Sequence, residues 1–423
     1  MRIVLLTPGT GSFYCGTCMR DNALAIALRR QGHDALMVPM YLPPTLDEVS
    51  ASEGAPLFYG GINVYLQQKI PLFRKTPRWV DQLFDSPAAL QGAAKRAGMT
   101  RAAELGDLTL SMLKGEDGNQ AKELDRLLEW LSGEGKADVV ILSNALLMGL
   151  GRRIAATGAK VFCTLQGEDT FLDSLPEPDR TDSWQTLSDR AKEFDGFIAV
   201  SRYHADLMRE RANLDPAKVH VVYNGISLDG YDAPAAPQNP PVLGYLARMY
   251  PPKGLGTLVD AYLQIRKNNR IPYLRLHICG AQTAGDISYV DELRGKLASA
   301  GFDGDVSFFP NVDRAEKIRF LQGLSVLSVP ATYGESFGLY LLEALAAGVP
   351  VVQPRHAVFP ELLGETGGGI LYDPEAPDAL ATAIETLLCD PDHARALGMA
   401  GRTTVFDRFH VDAMAKNVAE ILQ

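Results

Sequence analysis

Two series of short apolar runs, each alternating with helix-like stretches, flank the segment Asp232-Ala-Pro-Ala-Ala-Pro-Gln-Asn-Pro-Pro241, and this limits the fold more than any other feature of the chain. The first series is Arg2–Thr7, Ala35–Val38, Val139–Leu142, Lys160–Thr164, Gly196–Val200 and Val219–Val222, with a helix such as Cys18–Arg30 between runs. The second is Val242–Ala247, Leu274–Cys279, Val306–Phe308 and Val326–Val329, interleaved with helical stretches at Leu255–Lys267, Tyr289–Ala300 and Ala315–Gln322. Apolar strands separated by helices predict parallel βαβ units with helices on both sheet faces. The reading is an α/β chain of two doubly wound domains facing each other across a cleft.

Four prolines within ten residues make 232–241 a stiff connector. The expected organisation is a first domain over 1–235, a linker at 236–241, a second domain over 242–408 and a last helix within 409–423. That helix, His410–Leu422, has Val411, Met414, Val418 and Ile421 at helical spacing, which suits packing back on the first domain but does not require it. The stretch 67–136 breaks the alternation and reads as a helical insertion. Its first part, 67–101, carries seven basic residues against Asp81 and Asp85, with Leu72, Phe73, Trp79, Leu83 and Phe84 among them. Such a mixture suits peripheral contact with an anionic membrane or a lipid-linked acceptor; the competing reading is a helical cap with its aromatics packed inward. A net charge of −10 argues against a nucleic-acid binder. The amino-terminal apolar stretch is too short for a signal peptide and no run suffices to span a bilayer, so the expectation is a cytoplasmic protein. Five cysteines form no disulfide framework.

Ligands in parallel sheets bind beyond the carboxyl ends of strands, which makes the segments after the apolar runs informative. After Val242–Ala247 comes Arg248-Met-Tyr-Pro-Pro-Lys253-Gly254, a fork and a point charge five positions apart, suited to the two phosphates of a nucleoside diphosphate or equally to a solvated loop. After Val326–Val329 comes Gly334-Glu335-Ser336-Phe337-Gly338-Leu339, then a helical stretch in which Glu343 lies among Leu341, Leu342, Leu345 and Ala346. A helix start there presents N–H groups to an anion, unless Ser336 simply caps it. Glu343 needs either a ligand hydroxyl or a neighbouring Arg or Lys. The loop Thr7-Pro-Gly-Thr-Gly-Ser-Phe-Tyr-Cys-Gly-Thr-Cys18 has glycines at 9, 11 and 16, and Gly16 opens a helix that can face an anion. Cys15-Gly-Thr-Cys18 is a metal or redox pattern in form, but no second cysteine pair or paired histidines accompany it, and small residues in a tight loop explain it more simply. Gln166, Glu168 and Asp169 follow Lys160–Thr164. His204, His277 and His410 show no ligand spacing.

Taken together, Arg248…Lys253-Gly254 and Glu335-Ser-Phe-Gly-Leu-Tyr-Leu-Leu-Glu343-Ala-Leu-Ala-Ala-Gly-Val-Pro-Val-Val resemble family 4 of the retaining GT-B glycosyltransferases, over about Val242–Leu388 and more loosely over the first half. The resemblance implies two Rossmann-like domains and a nucleotide-diphosphate-sugar donor, with no cofactor and no metal. It implies that Arg248 and Lys253 hold the donor pyrophosphate, that Glu335 contacts sugar hydroxyls and that Glu343 contacts the ribose. The backbone at Phe337, Gly338 and Leu339 would meet sugar and phosphate, and the base would lie near Gly280 and Asn311-Val312. A carbohydrate or lipid-linked acceptor is implied on the side of Gln166, Glu168 and Asp169. The family usually has a glycine pair where Cys15-Gly16 stands, and many members carry histidine where Gln166 stands. Two other readings remain: a nucleotide-sugar epimerase, and a nucleotide- or glycan-binding protein without transfer activity.

Overall fold

The computed structural model describes residues 1–9, 15–77, 84 and 105–423. The chain forms two compact units, Met1–Tyr223 with Val411–Gln423, and Asn224–His410. Each holds one six-stranded sheet in which every pairing is parallel.

In the first unit the strands are β1 (Arg2–Pro8), β2 (Asp34–Met40), β3 (Val139–Leu142), β4 (Lys160–Leu165), β5 (Gly196–Ala199) and β6 (Val219–Val221), in the order β2-β1-β3-β4-β5-β6. Side chains alternate between two cores, as strand geometry requires. Val4, Leu6, Val140 and Leu142 enter one, while Ile3, Leu5, Val139 and Ile141 enter the other. This is why these strands read as unbroken apolar runs: neither face meets water. The helix Val411–Ile421 completes the second core, where Val411, Met414, Ala415 and Val418 join Leu24 and Leu28 of the helix Gly16–Arg30. Arg30 also meets Asp412 at 2.7 Å. The last thirteen residues thus return to the first unit after the chain has built the second.

Of the 67–136 stretch, the helices Gly106–Leu113 and Ala121–Ser132 are described, and Leu124, Leu127, Leu128 and Leu131 face the core. Gln67 Nε2 donates to the buried Glu123 at 2.8 Å. Phe73 stacks edge-on against Phe84 with ring centres 5.9 Å apart, whereas Leu72 is 74% exposed. Trp79, Leu83 and most of the basic residues of 67–101 lie outside the described residues. Among the described residues no helix is long and apolar enough to cross a membrane.

The second unit orders its strands β12-β11-β10-β7-β8-β9, where β7 is Val242–Leu246, β8 Arg275–Gly280, β9 Val306–Pro310, β10 Val326–Leu327, β11 Val351–Pro354 and β12 Gly369–Tyr372. β11 and β12 have no counterpart in the sequence reading, being four residues each and abutting Gly348-Val-Pro350 and Gly367-Gly-Gly369. β10 is shorter than the expected Val326–Val329 because Pro330 has no N–H with which to continue a ladder. The proline-rich segment lies along this unit and is fastened to it. Having few N–H groups, it is held chiefly through its carbonyls. Arg402 donates to Asp232 O at 3.3 Å, Gln322 to Ala233 O at 3.3 Å and Arg275 N to Pro241 O at 3.0 Å, while Ala235 N donates to Ala347 O at 2.7 Å.

Met414 is 1% exposed in the core that the returning helix shares with the first unit. Met414→Ala is expected to lower unfolding free energy by about 2–5 kcal/mol, read from the urea midpoint at constant slope. An unchanged midpoint would mean that the terminal helix contributes nothing to that core.

Candidate functional site

In the second unit the sheet order changes direction between β7 and β10. From β7 the chain proceeds through β8 to β9 on one side, and from β10 through β11 to β12 on the other. A crevice at such a point receives the loops that follow both strands. The loop after β7 contains Arg248 and Lys253; the loop after β10 contains Glu335.

The two loops are joined at close quarters. Gly254 adopts φ 74°, and a Cβ there would stand 1.9 Å from the Pro330 carbonyl oxygen, so both its backbone conformation and its lack of a side chain are required. Thr332 N donates to Pro252 O at 2.9 Å. Lys253 Nζ consequently reaches Glu335 Oε2 at 2.5 Å, with both side chains largely buried. Tyr333 and Tyr340 donate their hydroxyls to the same oxygen, each at 3.2 Å. Burial, and then the charge of Glu335, push both phenols well above their ordinary value, so they remain protonated donors. Lys253 Nζ also lies 4.9 Å from the Tyr333 ring centre and 5.5 Å from that of Tyr340.

The helix Leu339–Ala346 begins at Gly338, whose φ is 80°, and no side chain caps it. Ser336 is therefore not the cap. The first-turn N–H groups have no side-chain cap, and such an uncapped helix start carries a positive dipole end. Glu343, on the same helix, pairs with Lys317 Nζ at 2.7 Å. The two glutamates of the motif thus have different cations, and Glu343 takes the neighbouring-lysine alternative.

Arg248 is held by a residue that the sequence reading did not single out. Its Nε and Nη2 each donate to Asp286 at 3.1 Å, and Nη2 also lies 3.3 Å from Thr283 Oγ1. Burial alone would raise the Asp286 carboxyl, but hydrogen bonds from Arg248 and Thr283 outweigh it and hold the group below its usual range. Thr283 and Asp286 form a reciprocal capping box, and Thr-x-x-Asp after a strand was the available signal. Nearby, Gly280 has φ 141° and a Cβ would fall 1.9 Å from Ala247 O. Asn311, at φ 54°, accepts from Gln282 N at 3.0 Å and donates to Gln282 O at 2.9 Å, joining the ends of β8 and β9 next to Val312.

The first unit has its own change of direction between β1 and β3. Asp21 is buried there, accepting from Thr7 at 2.9 Å and from Ser143, and paired with Arg20 at 3.0 Å. Burial raises its carboxyl despite these partners. Gln166 Nε2 donates to Ser143 O at 2.6 Å. Glu168 accepts from Ala145 N at 3.1 Å and from Gln166 N at 2.7 Å, so both oxygens tie loops together where the sequence reading placed acceptor contacts. Asp169 is likewise turned inward, with Oδ1 3.8 Å from His204 Nδ1. His204, which spacing left as ordinary packing, is fully buried and accepts the Gly167 N–H at 3.0 Å, fixing the turn that carries Gln166. Its position three residues into the helix that follows β5 was the missed signal.

Gly16 is the first residue of its helix, preceded by Cys15 as the cap; Gly11 lies outside the described residues. Both cysteines are free thiols. Hydrogen bonding from Cys18 lowers Cys15 to about 7, against the opposing effect of burial. Cys18 Sγ also lies 2.7 Å from Pro8 O, so its single proton is directed either to that carbonyl or to a Cys15 thiolate. Alkylation of Cys15 by iodoacetamide should accordingly rise with a midpoint near pH 7, ahead of buried Cys163 and Cys279, and Cys18→Ala should move the midpoint up toward an ordinary thiol, about 8.5. A midpoint indifferent to Cys18→Ala would refute the assignment of the donor.

Residues 232–404 match the family model described as Glycosyl transferases group 1, and residues 113–229 match that of Glycosyltransferase Family 4. The D-inositol 3-phosphate glycosyltransferase of Segniliparus rotundus is 28% identical over 221 residues, 49% of this chain and 48% of that protein. Matched regions span between 47% and 65% of such curated relatives. Among solved structures, sucrose-phosphate synthase of Thermosynechococcus elongatus superposes with a TM-score of 0.72 at 19% identity, covering 100% of this chain and 98% of that one. Anabaena HepE in complex with UDP and glucose gives 0.67 at 18% identity, covering 100% and 99%. These two likenesses are likenesses of fold.

Proposed function

The chain belongs to glycosyltransferase family 4, of the group 1 type, and from that membership we propose that it moves a hexose from a nucleoside-diphosphate sugar to a hydroxyl of a carbohydrate or lipid-linked acceptor, with retention at the anomeric carbon. The observation that carries this reading is the convergence of Lys253, Glu335 and the start of the helix Leu339–Ala346 at the β7/β10 crevice. Lys253 and a helix end there, with Arg248 on the same loop, suit a diphosphate, on which charge grows as the glycosidic bond breaks.

In this scheme Arg248, oriented by Asp286, and Lys253 stabilise the departing diphosphate, and that electrostatic role requires no divalent metal. Glu335 accepts hydroxyls of the sugar, Glu343 accepts those of the ribose in addition to its pairing with Lys317, and the backbone at Phe337, Gly338 and Leu339 meets sugar and phosphate. The base lies against Gly280 and Asn311-Val312, at the ends of β8 and β9 that the Asn311 hydrogen bonds join. The acceptor is taken by the first unit, whose Gln166 turn is pinned by His204 and Glu168. Retention follows if the acceptor hydroxyl enters on the face that the leaving group vacates. The HepE structure contains UDP and glucose, which makes uridine donors the first to examine. Exposed Leu72 and Ile70, beside Lys69, Arg74 and Lys75, suit a lipid-linked acceptor at a membrane surface.

The test is release of nucleoside diphosphate from UDP-, GDP- and ADP-hexoses in the presence of an acceptor panel, with the product anomer assigned by NMR. Activity should survive EDTA. Glu335→Ala and Lys253→Ala should each lower kcat by about 10²–10³. Full activity of Glu335→Ala would overturn the site, and an inverted product would overturn the stereochemistry. Wild-type protein should co-sediment with anionic vesicles at low salt, and failure to do so would remove the membrane acceptor.

A further inference from the structure

We propose that Tyr340 is a positioning residue for sugar recognition: with Tyr333 and Lys253 it fixes one carboxylate oxygen of Glu335 so that the other is presented to a donor-sugar hydroxyl. The inference rests on the reading of Glu335 as the sugar contact. Its basis is that three donors, from three places in the chain, converge on a single atom. Lys253 Nζ, Tyr333 Oη and Tyr340 Oη reach Glu335 Oε2 at 2.5, 3.2 and 3.2 Å. Three donors crowd that oxygen, whereas a carboxylate has a second oxygen with its own lone pairs. A glutamate alone would rotate about its terminal torsion, which is broad and nearly two-fold. Anchoring Oε2 removes that freedom and fixes the direction in which Oε1 accepts.

The backbone is adapted to Tyr340. Its side chain comes from the second residue of the helix Leu339–Ala346 and bends back past the helix start to reach Glu335. A Cβ on Gly338 would lie 3.2 Å from the Tyr340 Cζ and 3.3 Å from its hydroxyl oxygen, closer than such contacts ordinarily sit. Gly338 therefore serves two ends: it takes φ 80° and it clears the path of the phenol. Tyr340 spends its single hydroxyl proton on Glu335 Oε2, so it acts through that carboxylate.

The experiment compares Tyr340→Phe with wild type by titration calorimetry, using UDP with UDP-glucose, GDP with GDP-mannose and ADP with ADP-glucose, and adds donor kcat and KM. Tyr333→Phe serves as a second variant that leaves the helix unaltered. Affinity for the preferred nucleoside diphosphate alone should change by no more than roughly twofold, because Lys253 and Arg248 remain. The additional affinity contributed by the sugar, and kcat/KM for the preferred donor, should fall about tenfold, the effect of one hydrogen bond to a charged group. A donor lacking the hydroxyl read by Glu335 should lose less in the variant than in wild type. If wild type gains affinity from the sugar and Tyr340→Phe keeps all of it, with only a lower melting temperature, the tyrosine is structural and the proposal fails while Glu335 stands. If wild type gains nothing from any sugar, the reading of Glu335 fails and the proposal with it.

Discussion

The contact on which the second unit's chemistry depends is the approach of Gly254 to the Pro330 carbonyl. Any side chain at 254 would separate the loops after β7 and β10, because a Cβ would sit 1.9 Å from that oxygen. Only with the loops together does Lys253 meet Glu335, 82 positions away in sequence. The parallel sheet makes the meeting possible in the first place. Its strand order puts β7 beside β10 and sends their connections in opposite directions, which leaves a crevice at their carboxyl ends.

Charge in this unit is arranged as compensated pairs of differing burial. Lys253 with Glu335 and Lys317 with Glu343 are shielded pairs, each with a short N–O separation. Arg248 is more open but donates two hydrogen bonds to one carboxylate, a planar arrangement that fixes the guanidinium. Removing one member of a shielded pair leaves the other uncompensated, so each pair contributes through order rather than through net stability. The first unit follows the same logic with less charge. Glu168 and the Nε2 of His204 accept backbone N–H groups at 145 and 166–167, and these bonds hold the turn bearing Gln166.

Period and composition made the parallel α/β architecture legible, since strands covered on both faces are apolar throughout. Ten of the twelve strands among the described residues stand where the runs predict, with ends shifted by a residue or two. β11 and β12 escaped because glycines and a proline next to four-residue runs read as turns. The site residues of the motif were legible as residue types at strand ends. Their partners were less so: Lys317, Tyr333 and Tyr340 carry no local pattern that distinguishes them from surface charge or core aromatics, whereas Asp286 showed only through its Thr-x-x-Asp spacing and His204 only through its place near a helix start.

The sequence by itself determined that this chain makes two parallel α/β units, that strand-end loops carry Arg248, Lys253 and Glu335, and that Glu343 lies on the helix that follows. Local periodicity and backbone sterics suffice for that, because each acts over a few residues. Tertiary structure alone decided which carboxylate meets which cation, that Tyr340 turns back to Glu335, that the proline-rich segment is fastened to the second unit, and that residues 411–423 complete the first unit's core. Those choices depend on strand order and on which faces remain apolar after the sheets form, and no short window of sequence contains either.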